Sequence, residues 1–139
     1  DPKRLEGYTE LSRVLLREKK EREAELVFEM MMAALPDNPT GYFEMGRAFF
    51  EKRMIEKAAQ YLARAIDRDP SHLQASFTLA GIYEMQNRFA EATRVLERLQ
   101  HYVSDDPDLM FALGRLSLKA GDEAGAERYF DNLRLFAWS

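Results

Sequence analysis

Within the stretch GYFEMGRAFF (residues 41–50), Tyr42, Met45, Gly46 and Phe49 recur at the i, i+3, i+4, i+7 spacing of one buried helix face. Phe43 and Phe50 lie off that face, with Arg47 between them. Such a second face suits recognition: rings supply apolar contact, and a guanidinium pairs with carboxylates or stacks on rings. Catalysis has less to rest on. The glycines of GYFEMGR (41–47) have the spacing of a phosphate-binding loop, but Arg47 replaces the required Lys and no Ser or Thr follows. His72 and His101 stand 29 residues apart, and neither has a second ligand at metal-site spacing. The acidic SDDPD (104–108) is too short for a calcium loop and reads as a helix N-cap. No Ser-His-Asp or paired-carboxylate constellation is defined by spacing. The expectation is a protein that is not an enzyme and needs no cofactor or metal.

The elements that position these residues come from a repeat. Ala24, Ala58, Ala92 and Ala126 are each 34 residues apart. Twelve residues before each stands a small residue: Ser12, Gly46, Ala80 and Gly114. Four residues after each stands a large apolar one: Phe28, Leu62, Leu96 and Phe130. Leu11, Met45, Leu79 and Leu113 form a fourth matching column. The frames open at Leu5, Pro39, Leu73 and Pro107, giving repeats over 5–38, 39–72, 73–106 and 107–139 of one domain.

Each frame reads as two helices. Asn38-Pro39 and Asp106-Pro107 supply an N-cap followed by Pro at the first helical position. Asn87 and Gly121 can take the left-handed conformation that ends a helix, and Pro36 and Pro70 stop the second helices. Frame one has no glycine between its helices, so REKKERE (17–23) is expected to form a less sharp or partly continuous junction. Small residues such as Gly46 and Ala58 let paired helices approach where bulky side chains would clash.

The totals exclude several classes. A net charge of −4 over 139 residues argues against a nucleic-acid binder. The absence of cysteine removes disulfides and thiolate sites without indicating a compartment. No apolar run reaches membrane-helix length, so direct membrane insertion is not expected. The composition suits a soluble protein of cytoplasm or periplasm. The chain opens DPKRLEGY without an initiator Met or signal pattern, and is expected to be a piece of a longer protein.

The frame TGYFEMGRAFFEKRMIEKAAQYLARAIDRDP (40–70) resembles the tetratricopeptide repeat through Tyr42, Met45, Gly46, Phe49, Ala58, Leu62, Ala65 and Pro70. The resemblance extends over residues 5 to about 137, departing from the pattern at Ser76 and Ser117, where aromatics are usual. It implies an all-α fold, a right-handed superhelical solenoid of four helix-turn-helix repeats whose first helices line a concave, peptide-binding groove. The groove columns it implies are Thr9, Phe43, Phe77 and Phe111; Arg13, Arg47, Gly81 and Arg115; and Leu16, Phe50, Glu84 and Leu118. The expected partner is a protein or peptide segment with apolar anchors between acidic residues. A chaperone-binding subclass uses a clamp of Lys and Asn, but Arg13 and Arg47 stand at its Asn positions, so recognition of a C-terminal carboxylate is not carried over. A competing reading is self-assembly into homo-oligomers. The apolar stripe Leu109, Ala112, Leu116 and Ala120, with Leu133, Leu135, Phe136 and Trp138 beyond it, reads as an uncovered C-terminal end.

Overall fold

The computed structural model describes residues 2–36, 38–103 and 106–138, less the side chains of Pro2, Lys3, Arg4 and Trp138. Among the described residues there are eight α-helices and no strand: α1 Pro2–Arg17, α2 Glu21–Ala34, α3 Pro39–Glu51, α4 Ile55–Arg68, α5 Leu73–Met85, α6 Phe89–Gln100, α7 Pro107–Lys119 and α8 Glu123–Trp138. Successive pairs form the four expected hairpins, and the chain gathers into two compact units, Asp1–Asp69 and Pro70–Ser139. No helix among the described residues is long and apolar enough to cross a membrane.

Every hairpin turns by one backbone device. Lys19, Arg53, Asn87 and Gly121 occupy one repeat column and all take positive φ, at 63, 60, 59 and 83°. The next residue's N–H then reaches back five positions: Lys20 to the Leu15 carbonyl (2.8 Å), Met54 to Phe49 (2.9 Å), Arg88 to Tyr83 (2.8 Å) and Asp122 to Ser117 (2.8 Å). This is the Schellman closure, which satisfies carbonyls that the helix end leaves without partners. The junction at REKKERE is therefore as sharp as the others, contrary to the sequence expectation. The hydrogen bond holds Lys19 in a left-handed conformation that costs an L-residue about 1–2 kcal/mol.

Three first helices, α3, α5 and α7, start on side-chain caps. Asn38 Oδ1 accepts from the Thr40 N–H (2.9 Å), and Asp106 Oδ1 accepts from Asp108 (2.9 Å) and Leu109 (3.3 Å). His72 falls in the same column, and its Nδ1 accepts from the Ala75 N–H (3.1 Å). His72, which has no metal-ligand spacing in the sequence, is thus a cap. Ser104 and Asp105 of the SDDPD stretch lie outside the described residues.

Each hairpin closes on a small residue. A Cβ placed on Gly46 would come within 2.9 Å of Leu62 Cγ and 3.2 Å of the Leu62 backbone nitrogen. One on Gly114 would sit 2.6 Å from Phe130 Cε1. Ala24, Ala58, Ala92 and Ala126 are fully buried at these crossings. Around them the two units use different cores. In the first, Phe49 stacks on Tyr61 with centroids 5.3 Å apart, and Phe28 meets Tyr61 edge-on at 4.5 Å. Burial raises the Tyr61 pKa, aided by the Glu25 carboxylate that its hydroxyl contacts. In the second, Leu96, Leu99, Leu109, Leu113 and Leu116 pack around Ala80, Ala92 and Ala112. Ser76 and Ser117 are buried there, and the Ser76 hydroxyl has no hydrogen-bond partner among the described residues.

One sequence expectation is overturned here. Leu109, Ala112 and Leu116 do not form an open stripe; they are 1, 8 and 1% exposed, packed with α6 in the core of the second unit. That flank of a first helix faces the preceding second helix, not the end of the stack. Of the remaining apolar end, Leu135 is 70% and Phe136 43% exposed, while the side chain of Trp138 lies outside the description.

The shared left-handed turn makes a stability prediction. Replacing Arg53 by Gly relieves the backbone strain, offset by the greater freedom of glycine when unfolded, for a net gain of about 0.5–1 kcal/mol. Urea unfolding measures this; a lower midpoint for the variant would contradict the strained-turn account.

Candidate partner-binding surface

In the first unit, the exposed sides of α1 and α3 adjoin through a chain of charges. Arg13 of α1 donates to Glu10 (3.2 Å) and across to Glu44 of α3 (2.8 Å). Glu44 also pairs with Arg47 (3.3 Å), which reaches Glu51 at 3.8 Å. Glu44 thus bridges two guanidiniums and ties the first helices together. Two depressions flank this bridge. One of about 480 Å³ is lined by Leu5, Glu6, Thr9, Glu10, Arg13, Thr40, Glu44 and Arg47, in which acidic and basic groups nearly balance. The other, about 320 Å³, is lined by Arg13, Arg17, Arg47, Lys52 and Glu51 over Leu16 and Ala48. Four cations there face one carboxylate, in a chain whose net charge is −4.

In the second unit, Glu84 of α5 plays the bridging part. It accepts from Arg115 and from Lys119 (2.6 Å), both on α7. These hydrogen bonds, Arg115 first, hold the Glu84 carboxyl below the usual glutamate range. Beside the bridge, Phe111 and Leu118 of α7 are 53 and 52% exposed, one on either side of Arg115 along the helix. The Phe111 ring lies 6.3 Å from that of Phe130. Gly81 leaves open space where a Cβ would stand.

The three implied columns divide on this evidence. Thr9, Arg13 and Arg47 meet in one place, with Leu16 buried beneath; Phe50 is half-buried. Phe43 is not an exposed anchor but a core residue, 7% exposed. Phe77 is half-buried and packs against the aliphatic core of its unit. The arginine column is not an open row either, because Arg13 and Arg115 are held by carboxylates on neighbouring helices. Sequence reasoning missed Arg17, Lys52 and Lys119. Arg17 and Lys119 stand one helical turn beyond Arg13 and Arg115, so extending that column by four residues would have found them.

Comparison with known proteins agrees with the geometry. Two family models described as tetratricopeptide repeat match, one over residues 49–109 and the other over 86–136. The chain belongs to the tetratricopeptide-repeat family. Protein FlbA of Caulobacter vibrioides is 31% identical over 109 residues, which cover 78% of this chain and 18% of that protein. The TPR repeat-containing protein YpiA of Bacillus subtilis is 32% identical over 75 residues, 54% of this chain and 18% of that protein. The chain therefore spans less than a fifth of the length of either relative. Among known structures, crystal structures of MamA superpose with a TM-score of 0.72 at 18% identity, covering 99% of this chain and 80% of that one, and with 0.71 at 18%, covering 98 and 74%. At such identity the likeness is one of fold.

The Glu84 bridge yields a pH prediction. A carboxylate whose folded pKa is depressed stabilises the fold above the ordinary glutamate range, and that contribution is lost as pH falls through the folded value. The wild-type unfolding midpoint should therefore fall on acidification through and below that range, and Glu84→Gln should lose part of the dependence. Identical pH profiles for the two proteins would refute a stabilising role for the bridge.

Proposed function

We propose that this chain is a protein-interaction module that captures a partner segment carrying acidic residues beside apolar ones. The observation that carries the reading is the depression between α1 and α3, where Arg13, Arg17, Arg47 and Lys52 outnumber Glu51 around an apolar floor of Leu16 and Ala48. Membership in the tetratricopeptide-repeat family supports a binding role over a catalytic one. Within the cluster the roles differ. Arg13 is committed to Glu10 and Glu44, so it shapes the site, whereas Arg47 has its side chain 46% exposed and Arg17 and Lys52 are exposed.

In the second unit, taken by itself, Phe111 and Leu118, which flank Arg115 on α7, offer a separate apolar surface to such a segment. Burying each of these side chains fully would contribute about 1.5–3 kcal/mol. Exposed ion pairs add about 0.2–1 kcal/mol each. Against this stands an association cost of several kcal/mol, so a readily exchanged complex of about micromolar affinity is expected.

Selection from a library of short peptides mixing Asp and Glu with Leu and Phe, against a matched Asn/Gln library, tests this reading. Binders should come from the acidic library, weaken with added salt, and lose about tenfold or more in affinity on Arg17→Glu with Lys52→Glu. Binders indifferent to the charge reversal, or drawn equally from the neutral library, would overturn it.

A further inference from the structure

The basic depression between α1 and α3 holds more positive charge than a single carboxylate can answer. Arg17 and Lys52 line it and are exposed, and neither side chain has an ion pair or hydrogen bond among the described residues. The carbonyls of the two helix ends do not occupy them. At the end of α1, Val14 accepts from the Glu18 N–H (3.0 Å), Leu16 from Lys19 (3.1 Å) and Leu15 from Lys20 (2.8 Å). At the end of α3, Ala48 accepts from the Lys52 N–H (3.2 Å), Phe50 from Arg53 (2.9 Å) and Phe49 from Met54 (2.9 Å). Backbone N–H groups thus close both ends and leave the two cationic side chains over.

The other two cations have capacity as well. Arg47 shares Glu44 with Arg13, and its approach to Glu51, the carboxylate that lines this depression, is a loose 3.8 Å. Arg13 engages Glu44 and Glu10 through its terminal nitrogens, Glu10 belonging to the lining of the other depression. Its buried Nε–H has no acceptor among the described residues. A buried donor in that state is one that a bound oxygen satisfies. Glu44 and Glu51 answer Arg13 and Arg47, so the unanswered charge is that of Arg17 and Lys52. A carboxylate carries one negative charge. A phosphate monoester carries about 1.5 to 2 at neutral pH and presents three acceptor oxygens.

We infer that the acidic group taken by this depression is a phosphoserine or phosphothreonine of the partner segment, its phosphate set among Arg17, Arg47 and Lys52. The inference rests on the segment-binding reading and names the anion that reading leaves general. Arginine suits a phosphate through its planar fork of donors, and lysine through its point charge. The adjoining depression shares Arg13 and Arg47 with this one, so the rest of the segment has a surface to continue along.

Peptide libraries with a fixed central phosphoserine, glutamate or serine, flanked by mixtures of Leu, Phe, Asp and Gly, test this. Enriched phosphoserine peptides and their glutamate and serine counterparts are compared by fluorescence anisotropy. The phosphoserine peptides should bind about tenfold or more tightly than the glutamate ones near pH 7.5. That advantage should shrink toward about pH 5.5, because the phosphate gains a proton near pH 6 while the glutamate stays charged. Arg17→Gln with Lys52→Gln should erase the advantage, with circular dichroism confirming an unchanged helical fold. Phosphoserine peptides no tighter than glutamate ones, both still weakened by Arg17→Glu with Lys52→Glu, would overturn this inference and leave the segment-binding reading standing. No binding by any of the three sets would overturn both. An advantage that survives the double Gln variant would place the phosphate elsewhere and overturn the inference. Inorganic phosphate that displaces the phosphopeptide at equal concentration would do the same, since the ligand would then be a free anion.

Discussion

The close approach of two helices at a small residue is the constraint on which the rest of this structure depends. Gly46 admits Leu62, and Gly114 admits Phe130, at distances that a methyl group would close off. A hairpin pinned in this way buries one stripe of each helix and leaves the other flanks to do something else. Repetition every 34 residues then gives each flank a fixed use. One packs against a neighbouring hairpin, and one faces outward with the charges and rings available for binding. The left-handed turn belongs to the same mechanism, because it brings the second helix back against the first at the register the small residues require.

Charge follows from this arrangement. First helices of neighbouring hairpins run close enough for carboxylates and guanidiniums to meet, and both units use the contact: Arg13–Glu44–Arg47 in one, Glu84–Arg115–Lys119 in the other. A cation committed to such a bridge has less to offer a partner. Outside these bridges stand Arg17 and Lys52 in the first unit and, in the second, the exposed apolar Phe111 and Leu118.

Much of the fold was legible because its signals are local or periodic. The alanine and glycine columns, the caps at Asn38 and Asp106, and the turns at Asn87 and Gly121 each carry a residue-type preference that matches the observed backbone. Lys19 and Arg53 carry no such preference, and only their column shared with Asn87 and Gly121 reveals their left-handed turn. The candidate surface was less legible. The partners of Arg13 and Arg115 lie 31 residues away, so whether a guanidinium is open or engaged depends on how hairpins stack rather than on spacing along one helix. Phe43 has the helical position of an exposed anchor, yet tertiary packing buries it. The stripe of Leu109, Ala112 and Leu116 was assigned to the wrong end for a related reason. Apolar periodicity shows that a flank is covered or wants cover, but the stacking order decides which neighbour supplies it.

The most direct measurement of the close-approach claim is urea unfolding of Ala58→Leu and Ala92→Leu, one crossing in each unit, both at residues with no exposed surface. The account predicts that each substitution overpacks its crossing and lowers stability by about 1–3 kcal/mol, although it adds apolar volume. Unchanged or raised midpoints in both variants would contradict it, because the helices would then have room that a small-residue crossing denies them.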